Sequence, residues 1–181
     1  DIRGYSDHLG DVWRIAEVSV KPYPSGRASH GVLSAMEGLQ REGLISAGNV
    51  AKIEAFVPPL IQRLVGRPMV DAAVMTPAYG RLCLPLLTAL QLVDGRIDPR
   101  RFTAENFGDA HIRDLASRLT ITLDGNEDPN ALSPQRLVVT LTDGSQIERI
   151  ISNTLGHPLA PMDETQNAAK YGLARELAFS E

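Results

Sequence analysis

The sequence predicts an α+β fold, a small mixed domain of antiparallel strands and packed helices, and three observations point there. Apolar residues recur at helical spacing in two stretches, with Val32, Leu33, Met36 and Leu39 on one face and Ile112, Leu115, Ala116 and Leu119 on another. Two β-branched runs flank Asp143-Gly144, a hairpin signal because both turn positions accept positive φ. Strands and helices mix without the regular βαβ period of a doubly wound sheet.

Along the chain, residues 1–11 read as a polar tail. Residues 12–20 (VWRIAEVSV) are rich in β-branched residues and stop at Pro22 and Pro24, which lack backbone donors, so a strand leading into a rigid loop is expected. Ser29 is placed to cap the helix that follows, and Gly43 to end it. Residues 50–57 (VAKIEAFV) form a strand ended by Pro58-Pro59, and Leu60, Ile61 and Leu64 a short helix closed by Gly66 and Pro68. The run 79–93 is apolar nearly all round, a buried helix in which Pro85 either makes a kink or sits in a first turn beginning near Leu84.

The second half holds an amphipathic helix over 109–119 with an acidic cap, strands over 120–123, 136–141 and 146–151, and a last helix over 163–178 capped by Asp163. A strict two-residue turn at Asp143-Gly144 would pair Val139 with Glu148, and a bulge or longer turn would change that register. Residues 153–161 form a Gly/Pro loop.

Composition narrows the function. The 181 residues suffice for one substantial core, domains commonly running about 100–200 residues. A net charge of -4, with Lys and Arg scattered, argues against a nucleic-acid surface, and no segment approaches the roughly 18 uninterrupted apolar residues of a membrane span. One cysteine, Cys83, forms no internal disulfide, and no signal peptide opens the chain, so a cytoplasmic setting is expected. The start at Asp1 suggests a fragment, in which a site completed by other residues would not work alone.

Chemistry concentrates in the loop Lys21-Pro22-Tyr23-Pro24-Ser25-Gly26-Arg27-Ala28-Ser29-His30. It sets a cation, a hydroxyl, a glycine and a guanidinium before a helix N-terminus, whose unpaired N–H groups favour anions. By spacing alone such loops more often simply turn and cap a helix. Cys83, within an apolar helix, reads as a buried and inert thiol. His8, His111 and His157 lack metal-binding spacing, and residues 124–128 (DGNED) lack the later glutamate of a calcium loop and read as an acidic turn. No metal site is expected.

The segment K-P-Y-P-S-G-R-A-S-H resembles the K-x-Y-P-S-C-R-x-T-H motif of the MmgE/PrpD family, which includes 2-methylcitrate dehydratases, cis-aconitate decarboxylases and iminodisuccinate epimerases. Lys21, Tyr23, Pro24, Ser25, Arg27 and His30 match in order, while Gly26 stands for the motif's cysteine and Ser29 for its threonine. Leu82-Cys83-Leu84-Pro85 followed by Asp94-Gly95 is similar to the family's F-S-x-P-Y-x-x-A stretch leading to D-G, with Leu86 at the tyrosine. Gly156-His157-Pro158, Pro161-Met162 and Lys170-Tyr171 are similar to its closing G-H-P-x-N-P-M and K-F elements.

The resemblance implies the family's C-terminal α+β domain over 1–155 and a closing loop and helix over 156–181 that would dock on an N-terminal helical domain of the same protein. It further implies a small di- or tricarboxylate as substrate, a lyase or isomerase reaction without cofactor, and a homodimer. Lys21 and His30 would be the catalytic pair, Lys21 neutralising a substrate carboxylate or acting as base and His30 transferring or orienting a proton. Ser25 and Arg27 would bind substrate, and His157 would be structural. The isolated chain would have little or no turnover. A different reading, to which Leu86 and Gly26 lend weight, is a binding or dimerisation module of the same fold without chemistry.

Overall fold

The computed structural model describes residues 13–179 together with Gly4, Gly10 and Asp11. The expected tail over 1–11 thus falls almost wholly outside the described residues, and Val12 does too. The chain forms an α+β domain with one four-stranded mixed sheet in the order β2-β1-β3-β4. Its strands are β1 (Val50–Val57), β2 (Leu119–Leu123), β3 (Gln135–Leu141) and β4 (Gln146–Ile151). β1 pairs antiparallel with β3, and β3 with β4, as the expected antiparallel arrangement requires. β2 instead runs parallel to β1, with Ile53 opposite Leu119 and Val57 opposite Leu123. A parallel pair needs a long crossover, and α2 (Pro59–Val65), α3 (Pro77–Gly80), α4 (Leu84–Asp94), α5 (Ala104–Gly108) and α6 (Ala110–Ser117) supply it.

Alternation along β1 buries Ile53, Ala55 and Val57 on one face. That face joins Leu137 and Val139 of β3 and the buried sides of α1 (His30–Arg41), α4 and α6 in one core. α1 buries the expected Val32, Leu33, Met36 and Leu39 and stops as expected, with Gly43 at φ +72°. Gln91 Nε2 of α4 donates to Gln40 Oε1 of α1 at 2.9 Å, so a buried hydrogen bond links the two helices.

Pro85 lies in the first turn of α4, which begins at Leu84, and the preceding residues form the separate turn α3 capped by Thr76. Asp109 caps α6 by accepting from Ile112 N at 2.8 Å. Leu119, expected at the end of that helix, is instead the first residue of β2. The β3–β4 hairpin takes the longer turn. Leu141 N donates to Ser145 O at 2.8 Å and Gly144 adopts φ +86°, so Val139 pairs with Ile147 rather than Glu148. Residues 124–128 form the acidic turn expected, a run of side-chain-to-backbone bonds from Asp124 to Asn126 N and from Asn126 to Asp128 N.

Two local expectations are corrected. The described part of 12–20 is not a strand; Arg14–Glu17 is a 3-10 turn whose main-chain bonds are local, with Trp13 75% and Ile15 76% exposed. β propensity needs a neighbouring ladder, and here the segment has none; Val20 N makes one main-chain bond outside it, to Gly156 O at 2.9 Å. Ser29 is not a side-chain cap either. A 3-10 turn, Arg27–Ser29, runs directly into α1, so Ser29 already has helical angles and its hydroxyl turns back to Gly26 O at 2.8 Å.

The last helix, α7 (Glu164–Phe179), opens with reciprocal capping: Asp163 accepts from Gln166 N at 2.8 Å and Gln166 accepts from Asp163 N at 2.9 Å. None of its described residues is buried. Glu176 ties it to the body through Arg96 and Arg100, which also share Asp98.

Candidate active site

The loop 21–30 is held at two points and braced within. Gly26 N donates to Arg81 O at 2.9 Å, which fixes its middle against the turn before α4. At Gly156, φ is +86° and a Cβ would lie 1.9 Å from Val20 O, so only glycine admits the chain this close. Within the loop, Ser25 and Ser29 share a hydrogen bond between their hydroxyls at 2.8 Å.

The four residues singled out from the sequence divide by exposure. Lys21 and Arg27 are exposed, whereas Ser25 is 5% and His30 1% exposed. Lys21 Nζ donates to the Ser25 carbonyl at 3.4 Å. The Ser25 backbone also bears on the His30 imidazole, favouring its charged form. Lys21 and His30 thus converge on one peptide unit rather than on each other. Burial, reinforced by the charges of Lys21 and Arg27, nevertheless holds the imidazole at a pKa of about 4, so the ring is neutral near pH 7. Its Nε2 has no hydrogen-bond partner among the described residues.

Lys21 stands at the edge of a groove of about 550 Å³ between the loop and α7, lined mostly by apolar side chains such as Ile97, Leu155 and Leu173. Tyr23, Glu37 and Lys170 line it too, whereas Ser25, Arg27 and His30 do not. The structure therefore brings Lys21 to a concavity and leaves the other three outside it. Glu37 escaped the sequence reading because it meets Tyr23 across 14 positions, with no local spacing to mark it: the Tyr23 hydroxyl donates to Glu37 Oε2 at 2.5 Å.

The remaining residues are accounted for by packing. Cys83 is buried beside Met69, and burial pushes its thiol up to about 11, as an inert cysteine requires. Leu86 is 0% exposed within the core, near Gly80. The Tyr79 hydroxyl donates to Pro68 O at 2.9 Å. His157 Nδ1 accepts from Leu159 N at 3.1 Å, a bond that shapes the 153–161 loop. A Cβ at Gly26 would lie 2.7 Å from Leu82 Cδ2 and 3.1 Å from Val65 Cγ1, so the space a larger residue would need is already filled. Among the described residues no three His, Cys, Asp or Glu side chains gather as a metal site, and no helix is long and apolar enough to cross a membrane. His8 lies outside the described residues.

The MmgE/PrpD C-terminal domain family matches residues 23–180. The chain belongs to this family. It is also 24% identical over 156 residues to the cis-aconitate decarboxylase of Aspergillus terreus (strain NIH 2624 / FGSC A1156), an alignment covering 82% of this chain and 32% of that protein. The MmgE/PrpD domain described here therefore spans about a third of that relative's length. Lys21 and Pro22 stand just ahead of the family match, and Tyr23 through His30 lie within it.

Proposed function

We propose that this MmgE/PrpD domain is one wall of the active site of a lyase or isomerase acting on a small di- or tricarboxylic acid without a cofactor. The observation that carries the reading is Lys21: an exposed ammonium, braced on the Ser25 carbonyl, that lines a groove. Such a cation neutralises a substrate carboxylate and stabilises negative charge that grows beside it as a proton or carboxyl group leaves. Arg27, exposed and without an ion pair among the described residues, would clamp a second carboxylate from outside the groove. Ser25, whose hydroxyl is committed to Ser29, serves the substrate through the loop it stiffens. His30 belongs to the same catalytic pair, and its burial favours the orienting half of its role.

The opposite wall of the site, in this proposal, is an N-terminal helical domain of the same protein. The division falls at 155/156. α7 buries none of its described residues and leaves Tyr171 and Phe179 exposed, so the segment 156–181 has apolar surface to dock. The assembly is proposed to be a cytoplasmic homodimer. Assay of a full-length protein carrying this chain against cis-aconitate, 2-methylcitrate and related acids tests the proposal, with the purified 181-residue chain in parallel. Turnover by the first and none by the second is expected; turnover by the chain alone would refute the divided site.

Leu86 and Gly26 favour a second reading, a module that binds or dimerises without chemistry. Calorimetric titration of the chain with polycarboxylates, beside its oligomeric state, separates the two. Tight self-association with no ligand heat supports the module.

A further inference from the structure

Three side chains run from the groove into the wall behind Lys21. Glu37, half-buried on α1, lines the groove and accepts the Tyr23 hydroxyl proton at 2.5 Å. The Tyr23 ring, itself buried, stands at 74° to the His30 imidazole with centroids 5.5 Å apart. The Ser25 backbone favours the charged form of the imidazole, while Nε2 has no partner among the described residues. A buried ring with an unpartnered nitrogen takes its orientation from what packs against it, and the Tyr23 ring is one such neighbour. A tyrosine ring is itself held when its hydroxyl end is anchored. Glu37 is that anchor, and Arg41 adds a positive charge near the pair.

We propose that Glu37 is a positioning residue: by fixing the Tyr23 ring it sets the orientation of His30 and, through the Ser25 backbone that both His30 and Lys21 contact, the seat of the Lys21 ammonium. The proposal rests on the reading of Lys21 as the substrate-facing cation, but its test needs no turnover. The acceptor oxygen matters here, not the negative charge. Glutamine at position 37 preserves the arrangement and leucine abolishes it.

The test is NMR of the 181-residue chain carrying 13C,15N-labelled histidine, with the His30 ring signals assigned by their disappearance in His30→Gln. Tyr23→Phe and Glu37→Leu are each expected to shift the His30 ring protons and to broaden them, and the double variant to add nothing further. Glu37→Gln is expected to restore sharp signals near their original positions. His30 signals that stay put and sharp in both Tyr23→Phe and Glu37→Leu would overturn the proposal. If Glu37→Leu does not fold, judged by the amide signals of β3 and β4, Tyr23→Phe keeps the ring volume and decides alone. Turnover assays of the same variants in a full-length protein separate the two claims: unmoved signals with normal Lys21-dependent turnover sink only the positioning role, and moved signals beside turnover indifferent to Lys21 uphold it while sinking the site reading.

Discussion

Lys21 and His30, the two residues to which the loop's chemistry is assigned, both interact with the backbone of Ser25: the exposed Lys21 donates to its carbonyl at 3.4 Å, and the same backbone favours the charged form of the buried His30 imidazole. One peptide unit therefore couples a surface cation to a core imidazole. The electrostatic consequence is measurable. The His30 pKa is depressed below the ordinary 6.5 to about 4 by burial, so the folded chain binds fewer protons at this site than the unfolded chain between those values. Stability from this group is present above about pH 6.5 and is lost as pH falls toward 4, by about 2–3 kcal/mol in all. Urea unfolding from pH 7 to pH 4 is expected to show a drop that shrinks in His30→Gln. Identical slopes would contradict the depressed value.

Gly156 sets how the loop enters the domain. A side chain there meets Val20 O at 1.9 Å in a backbone conformation with φ +86°. Gly156→Ala is expected to destabilise the chain by about 3 kcal/mol, through clash and left-handed strain together. Thermal or chemical unfolding reads it directly, and a loss below about 0.5 kcal/mol would mean that the contact relaxes freely.

The motif's cysteine position is filled from the side. Gly26→Cys brings Cβ to 2.7 Å from Leu82 Cδ2 and is expected to cost about 1–3 kcal/mol. Leu82 contributes the flexible end of that clash, so Leu82→Ala in the Gly26→Cys background is expected to cost less than Leu82→Ala alone. A double-mutant cycle measures the coupling, and additive losses would show that Leu82 is not what excludes a larger residue.

Ion pairs tie α7 to the body of the domain. Its carboxylate Glu176 meets Arg96 at 3.1 Å and Arg100 at 3.2 Å, while the Arg100 side chain, through its hydrogen bond, holds Asp98 below the usual carboxylate range. Glu176→Ala is expected to speed amide exchange in α7 while leaving α1 and β3 protected. Equal exchange in the two proteins would mean that the apolar groove, not the ion pairs, keeps the helix in place.

Much of this was legible in the sequence. β1 was bounded correctly by its β-branched run and the Pro58-Pro59 stop, and of the two places open to Pro85, a kink or a first turn beginning near Leu84, α4 takes the second; both features depend on local backbone chemistry. The parallel partner of β1 was not legible: Leu119 continues a helical period in the chain, and only the sheet makes it a strand residue. Residues 13–18 misled for the opposite reason, being strand-like in composition with no ladder beside them. In the candidate site, the loop and its order of residues were visible. The burial of His30, the filling of space beside Gly26 and the Glu37 anchor arise from contacts between distant segments, which spacing does not encode.

The most direct measurement is kcat/KM of a full-length protein carrying this chain, on whichever polycarboxylate it turns over, for Lys21→Ala beside Lys52→Ala. Lys52 is an exposed control paired with Glu54 on β1. Loss of a cation that stabilises developing charge lowers kcat/KM by about 100-fold or more, so Lys21→Ala is expected to fall that far while Lys52→Ala stays unchanged. Equal activity in the two variants would contradict the assignment of Lys21 to the substrate-facing wall.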